Sequence, residues 1–346
     1  MVNVLLDSGA FSSWKLGKVM DIDAYADYLI RNKNNFVNAI NLDVIPGKFG
    51  RVPSNEEVEH SAQKSWESLK YLESRGVNPL PVFHQGEGCK WLKKIVEEGY
   101  EYVCISPDNG KATKQKQDWL DIVFTILSDD NGLPIIKTHG LAVTSYDLMF
   151  RYSWATVDSA TWIVVGAYGG TFVPKQDLDG NPDYSQSPYV VFLTKKSKSN
   201  LESGMHLDSF SDKLKEYILG FFEQERIPLS ELQDDCAVRS RICLRVLKRT
   251  NDLLVNPVFK TKTNNFFAQA KCLGHLKPGI AIPKTEIYYA LSCAAIYSDA
   301  LTIENLPNRL FTYNILRDKE EDFLDFYAQN GVFPRGKCWK RWHYAD

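Results

Sequence analysis

Short apolar runs that each close on a polar residue, separated by amphipathic stretches of helical period, constrain this chain more than any other feature. Candidate strands are VNVLLDS (2–8), VNAINLDV (37–44), NPLPVFHQ (78–85), YEYVCIS (100–106), LPIIKTHGLAV (133–143) and WATVDSATWIVV (154–165). Between them, residues 22–33, 55–76 and 91–99 have helical patterning, the second stretch stopping at Gly76. Strands that are apolar along most of their length and alternate with helices imply parallel β/α units buried on both faces. Six such strands by residue 165 predict an α/β fold, a (β/α)8 TIM-type barrel. An open doubly wound sheet is the alternative, but no GxGxxG follows the first strand.

After residue 166 the rhythm changes. Residues 166–188 are rich in Gly, Pro, Asp and Ser and read as a long loop or hairpin, and 195–204 (KKSKSNLESG) is polar. Helices are expected over about 209–250 and about 284–300. The expectation is one catalytic barrel domain over 1–346, with an insertion at 166–250 and with 251–346 completing the barrel and ending in a tail.

A net charge of -2 excludes a protein that coats nucleic acid by bulk charge and leaves room for local basic patches. Seven scattered cysteines, odd in number, read as reduced thiols of the cytoplasm. No apolar run approaches the ~20 residues of a membrane helix, and the first residues lack a charged leader, so no membrane partner is expected.

A barrel gathers the C-terminal ends of its strands at one mouth. Here those ends are Asp7-Ser8-Gly9, Asp43, His84-Gln85-Gly86, Ser106-Pro107-Asp108, His139-Gly140 and Asp158-Ser159. One such acid is ordinarily a turn or cap residue, and each histidine is ordinarily structural. Repetition at successive strand ends is not something caps require. Asp158 sits in an otherwise apolar or small stretch, where burial is costly unless something uses the carboxylate.

These segments resemble the tRNA-guanine transglycosylases. DSGAF (7–11) is similar to their DSGGF, FHQGE (83–87) to their VQGG strand end, HGLAVTS (139–145) to their GLAVG, and VDSATW (157–162) to the strand bearing their nucleophilic aspartate. The order agrees, and the match covers roughly residues 1–165. The short chain is more similar still to the phage and bacterial relatives that place 7-deazaguanine bases in DNA. The resemblance implies Asp158 as nucleophile on C1′ and Asp7 as general acid/base. It implies Ser8, Asp43, Gln85, His139 and Gly140 around the base, with Phe11 stacked on its face. The implied partners are DNA, or alternatively tRNA, and a 7-deazaguanine such as preQ0. The residue types suit the reaction independently: a carboxylate traps an oxocarbenium-like sugar, as in retaining glycosidases, and guanine departs only when protonated.

The chain also departs from that family. No CxCxxC cluster follows Asp158, and Thr144 stands where GLAVG has its last glycine. Cys236, Cys243, Cys272 and His275 are the remaining candidates for zinc, but C-x6-C is poor ligand spacing, so buried thiols are preferred and no cofactor is expected. For nucleic acid, Arg241, Arg245, Lys248 and Arg249 fall on one helical stripe, which a solvated helix face explains equally well. The tail 335–346 interleaves basic and aromatic residues. A duplex guanine must leave its stack to reach such a pocket. Besides tRNA exchange, the alternatives are a TIM-barrel nucleoside or glycoside hydrolase using Asp7 and Asp158 with water, and a non-catalytic nucleic-acid-binding barrel.

Overall fold

Three buried residues, Val4, Leu5 and Leu6, form strand β1 (Val4–Leu6). Gly9, at φ 77°, then turns the chain into α1 (Ala10–Lys15). The computed structural model describes residues 4–143, 145–194, 198–254, 286–290 and 312–313. Local chemistry sets the helix starts that follow. Asp21 accepts the N–H groups of Asp23 and Ala24 to open α2 (Ile22–Arg31), and β2 (Asn38–Ala39) comes next. Ser54 and Glu57 make a reciprocal capping box at the start of α3 (Asn55–Ser74). Alternation continues through β3 (Val82–His84), α4 (Cys89–Glu97), β4 (Tyr102–Ser106), α5 (Thr113–Ile126), β5 (Lys137–Gly140), α6 (Tyr146–Met149) and β6 (Thr156–Ser159).

The described residues up to Ser159, together with β11 (Glu286–Ala290) and β12 (Thr312–Tyr313), form one compact unit, and Ala160–Leu253 belong to another. In the first unit one mixed sheet runs β2-β1-β12-β11-β6-β5-β4-β3. Its neighbours pair in parallel except at β12, which is antiparallel to both β1 and β11. Next to the two end strands, Ile40 and Leu80 form a parallel bridge. There the Asn41 N–H donates to Leu80 O at 2.9 Å and the Leu80 N–H to Ala39 O at 2.7 Å.

Alternation along the strands sorts the apolar residues onto two faces. Leu5, Ile40, Leu80, Val82 and Cys104 pack together on one. On the other, Leu6 and Ala39 pack with Tyr25, Ala26, Leu29 and Leu72 of α2 and α3.

The second unit holds α7 (Thr161–Ala167), β7 (Gly170–Val173), the hairpin of β8 (Lys175–Gln176) with β9 (Pro182–Asp183), β10 (Tyr189–Phe192), α8 (Lys198–Glu202), α9 (Asp212–Gln224), α10 (Leu229–Asp234) and α11 (Cys236–Leu253). Strands β7 and β10 pair antiparallel. Helix α7 approaches α11 so closely that a Cβ on Gly166 would lie 2.2 Å from Ser240 Oγ and 3.0 Å from Ser240 N. Arg239, buried beside this contact, donates from Nε to Gly166 O and from Nη1 to Leu232 O, each at 2.7 Å.

Three expectations are corrected. The run 154–165 is not one strand: it stops at Ser159, and TWIVVGA is helical. A short apolar run suits a buried helix as well as a strand, and here the helix packs on α11. The helix expected over about 284–300 is replaced at 286–290 by strand β11, whose EIYYA sequence is rich in β-branched and aromatic residues. The uniformly parallel order is broken at β12.

Candidate active site

Strand register puts several polar side chains on one face of the first unit. Val82 pairs with Cys104, Cys104 with His139, His139 with Thr156, and His84 with Ser106. Paired residues of parallel neighbours share a face, as do residues two apart on a strand, so Asp158 joins Thr156 and His139. The Ala142 N–H donates to Asp158 Oδ1 at 2.5 Å. Ala142 is held at φ 53°, an uncommon conformation for a residue with a side chain. The turn after Gly140 thus wraps onto the carboxylate. Gly140 has no room for a side chain, because a Cβ would meet Val143 Cγ2 at 2.8 Å and Val157 Cγ1 at 3.1 Å.

His139 is completely buried and lies with Nε2 3.7 Å from Asp158 Oδ1. Its Nδ1 meets Thr156 Oγ1 at 2.6 Å, and Thr156 Oγ1 also bonds the Tyr102 hydroxyl. If Tyr102 donates to Thr156 and Thr156 to Nδ1, the imidazole proton resides on Nε2, toward Asp158. Burial lowers the His139 pKa to about 3, so the ring is neutral. Burial raises Asp158 from the ordinary 3.8 to about 7; the Ala142 N–H opposes this, and the negative charge of Asp7 adds to it. The negative charge of Asp7 thus makes Asp158 hold its proton more tightly than burial alone would.

A second acid–imidazole contact lies on β3. His84 Nε2 meets Asp43 Oδ2 at 2.8 Å, both side chains being nearly buried. Burial pulls the His84 pKa down, but the hydrogen bond and charge of Asp43, with the charge of Glu87, raise it overall. Glu87, just beyond the same strand, is buried, and burial lifts its pKa to about 7 against the opposing charge of His84. Its Oε1 and the Oδ1 of Asn41 have no hydrogen-bond partner among the described residues. Both residues line a small cavity with Ser65, Trp66 and Trp91. Sequence reasoning missed Glu87, Thr156 and Tyr102. For Glu87 the signal was present, an acid two residues after the strand-end His84-Gln85.

Cys104 shows how the acids are grouped. The buried thiol on β4 has its pKa pushed well up, first by burial and then by the charges of Asp43, Asp158 and Asp7. Three aspartates separated by some 150 residues of sequence therefore act on one buried atom. The other predicted residues are distributed unevenly. Ser8 is buried, and its Oγ accepts the Ala10 N–H at 3.3 Å, a local contact at the start of α1. Gln85 spends its amide on backbone: Oε1 accepts the Asp108 N–H at 2.9 Å and Nε2 donates to Gln115 O at 3.3 Å. Phe11 is half exposed, with its ring 5.8 Å from that of Trp14.

In the second unit, Arg241, Arg245, Lys248 and Arg249 on α11 are all half-buried, while Ile242 and Leu244 are buried. Two of the four have an internal carboxylate. Arg245 Nη1 lies 3.3 Å from Glu225 Oε2 and Arg249 Nη1 2.5 Å from Glu225 Oε1, with Arg249 also 2.8 Å from the Tyr184 hydroxyl. That pairing diminishes the charge the stripe offers to phosphates. Cys243 is buried, its thiol raised to about 12 by burial, and Cys236 is half-buried. Cys272, His275 and the basic–aromatic tail 335–346 lie outside the described residues. Among the described residues no group of three or more His, Cys, Asp or Glu side chains could hold a metal ion, and no helix is long and apolar enough to cross a membrane.

No model of a known protein family, no curated protein and no solved structure matches this chain.

Proposed function

We propose that the chain is a base-exchange glycosyltransferase that replaces guanine in DNA by a 7-deazaguanine, on a (β/α)8-type barrel. The barrel reading is supported by the parallel strands β3 to β6 and by the Ile40–Leu80 bridge beside the two end strands of the sheet. One observation carries the chemistry: Asp158, its side chain only 13% exposed, lies beside the fully buried His139 and feels the negative charge of Asp7.

In this reading, ionised Asp158 attacks C1′ of the target nucleotide. A bond forms from its carboxylate oxygen to C1′, the C1′–N9 bond breaks, and its electron pair leaves with guanine. The departing base takes a proton from the acid/base Asp7. The incoming base then gives up its ring proton to the same group, attacks C1′, and releases the Asp158 carboxylate. The exchange is redox-neutral and consumes no water. Neutral His139 and the Ala142 N–H orient the nucleophile without cancelling its charge. Asp43, braced by His84, faces the base edge as an acceptor.

The test is release of label from guanine-labelled DNA, and separately from guanine-labelled tRNA, with and without a 7-deazaguanine acceptor. Acceptor-dependent release from DNA, lost in Asp158→Asn, is the expected result. Release without acceptor makes the protein a hydrolase; release from tRNA alone changes the polymer; no release from either overturns the reading.

A further inference from the structure

The segments following β1 and β2, the first of them containing α1, carry a surface that extends beyond the reacting groups. Residues 8–20 (SGAFSSWKLGKVM) and 44–53 (VIPGKFGRVP) include Lys15, Lys18, Lys48 and Arg51 and no acid. They are tied together, since Trp14 Nε1 donates to Gly47 O at 2.9 Å. Ring centroids of Trp14 lie 5.8 Å from Phe11 and 5.4 Å from Phe49, the second pair edge-on. Phe11 is 50% exposed, Phe49 54%, Val52 79% and Val19 97%. Exposed apolar groups concentrated in this way mark an interaction surface.

Two properties define the partner. Of the four cations, Arg51 bonds Glu57, beyond these segments. Lys15, Lys18 and Lys48 are exposed, and Lys15 Nζ stands 5.5 Å from the Phe49 ring centroid. A ligand that satisfies both the cations and the rings is a polyanion carrying flat apolar groups. An unpaired nucleic-acid strand is such a ligand. A membrane-inserting tip would project its aromatics clear of the cations, whereas here a lysine lies over a ring. The two segments begin directly after Asp7 and Asp43, so both leave β1 and β2 at the strand ends that carry the candidate acids.

We propose that this surface binds unpaired nucleic acid, with bases stacked on Phe49 and Phe11 and flanking phosphates on Lys15, Lys18 and Lys48. The choice of polymer rests on the base-exchange reading; the charge and the exposed rings do not. The test measures binding of the full chain to a fluorescent mixed-sequence single-stranded DNA of about 20 nucleotides, to its duplex, to dextran sulfate and to phosphatidylserine vesicles. Phe49→Ala weakens single-strand binding about tenfold and leaves dextran sulfate binding unchanged, because only the former has bases to stack. The Lys15→Gln, Lys48→Gln double variant lowers the salt slope of single-strand binding by about 1.4, some 0.7 for each lost phosphate contact. All three positions are exposed, and circular dichroism checks folding. Wild-type affinity and salt slope in both variants, or binding to vesicles but not to DNA, overturns the proposal. Base release in the exchange assay is scored separately. Strand binding that depends on Phe49 without any release leaves the surface standing and sinks the exchange reading. Release with Phe49-independent binding does the reverse.

Discussion

At the scale of single residues, the chemistry turns on a carboxylate that the fold keeps reluctant to ionise. Asp158 needs its charge to attack a sugar, yet burial and Asp7 raise its pKa to about 7. The ascending limb of exchange activity is therefore expected to rise with pH up to about 7, set by Asp158; a pH–rate profile checks this. Asp158→Asn removes the nucleophile and lowers exchange at least about a thousandfold. Asp7→Asn lowers turnover about a hundredfold or more, and a sugar adduct on Asp158 that persists in mass spectra separates its proton role from the nucleophile's. Asp158→Asn also reports on stability, and the sign is fixed by the direction of the shift. Because the folded pKa is raised, the folded protein binds this proton more tightly than the unfolded chain. Stability is lost as pH rises from near 4 to about 7, by up to ~4 kcal/mol for a shift of this size. The asparagine variant is free of that loss. Its melting temperature should exceed wild type at pH 8 and match it near pH 4.

At the scale of elements, two glycines allow close packing, Gly140 against side chains and Gly166 against the backbone of α11. Gly140→Ala puts a methyl group against Val143 and Val157 and is expected to cost about 1–3 kcal/mol, with a matching loss of exchange as the turn bearing Ala142 shifts. Gly166→Ala forces α7 away from Ser240 on α11 and should destabilise the second unit by a similar amount, readable by denaturant melts. The elements around these glycines were unequally legible in the sequence. Strands at 82–84 and 102–106 and the helix at 55–74 follow from apolar runs, caps and period, and the structure sets them within a few residues of expectation. The turn of WATVDSATWIVV from strand to helix at Ser159 was not legible. Every residue after Asp158 there is small or apolar, and which period wins is decided by packing against α11, some 80 residues later. The site divides along the same line. Asp7, Asp43, His139 and Asp158 were visible as polar residues closing apolar runs. Tyr102 gains its place from long-range packing on Thr156, Glu87 was legible only as an acid just past a strand end, and Gln85, which the resemblance placed at the base, is satisfied by backbone instead.

At the scale of the whole molecule, the buried titratable groups set opposite slopes of stability against pH. Asp158 and Glu87 both have raised pKa values, so each favours folding at low pH and loses that contribution as pH approaches about 7. His139, lowered to about 3, acts the other way: the unfolded chain takes up its proton below about 6.5, so stability falls as pH drops from there. Combining Asp158→Asn with Glu87→Gln should shrink the fall in stability toward neutral pH to the part due to His84, whose pKa is also raised, and leave the His139-driven fall on the acid side, measured by urea melts from pH 4 to 8.5. One further consequence lies in the thiol among the three aspartates. Cys104 has no exposed surface, and its thiolate is disfavoured by burial and by all three charges. An alkylating reagent reaches it only when the first unit opens, whereas the half-buried Cys89 is accessible without such an event. The ratio of modification at the two, followed by peptide mass spectrometry, makes Cys104 a native stopwatch for how often the acid cluster comes apart.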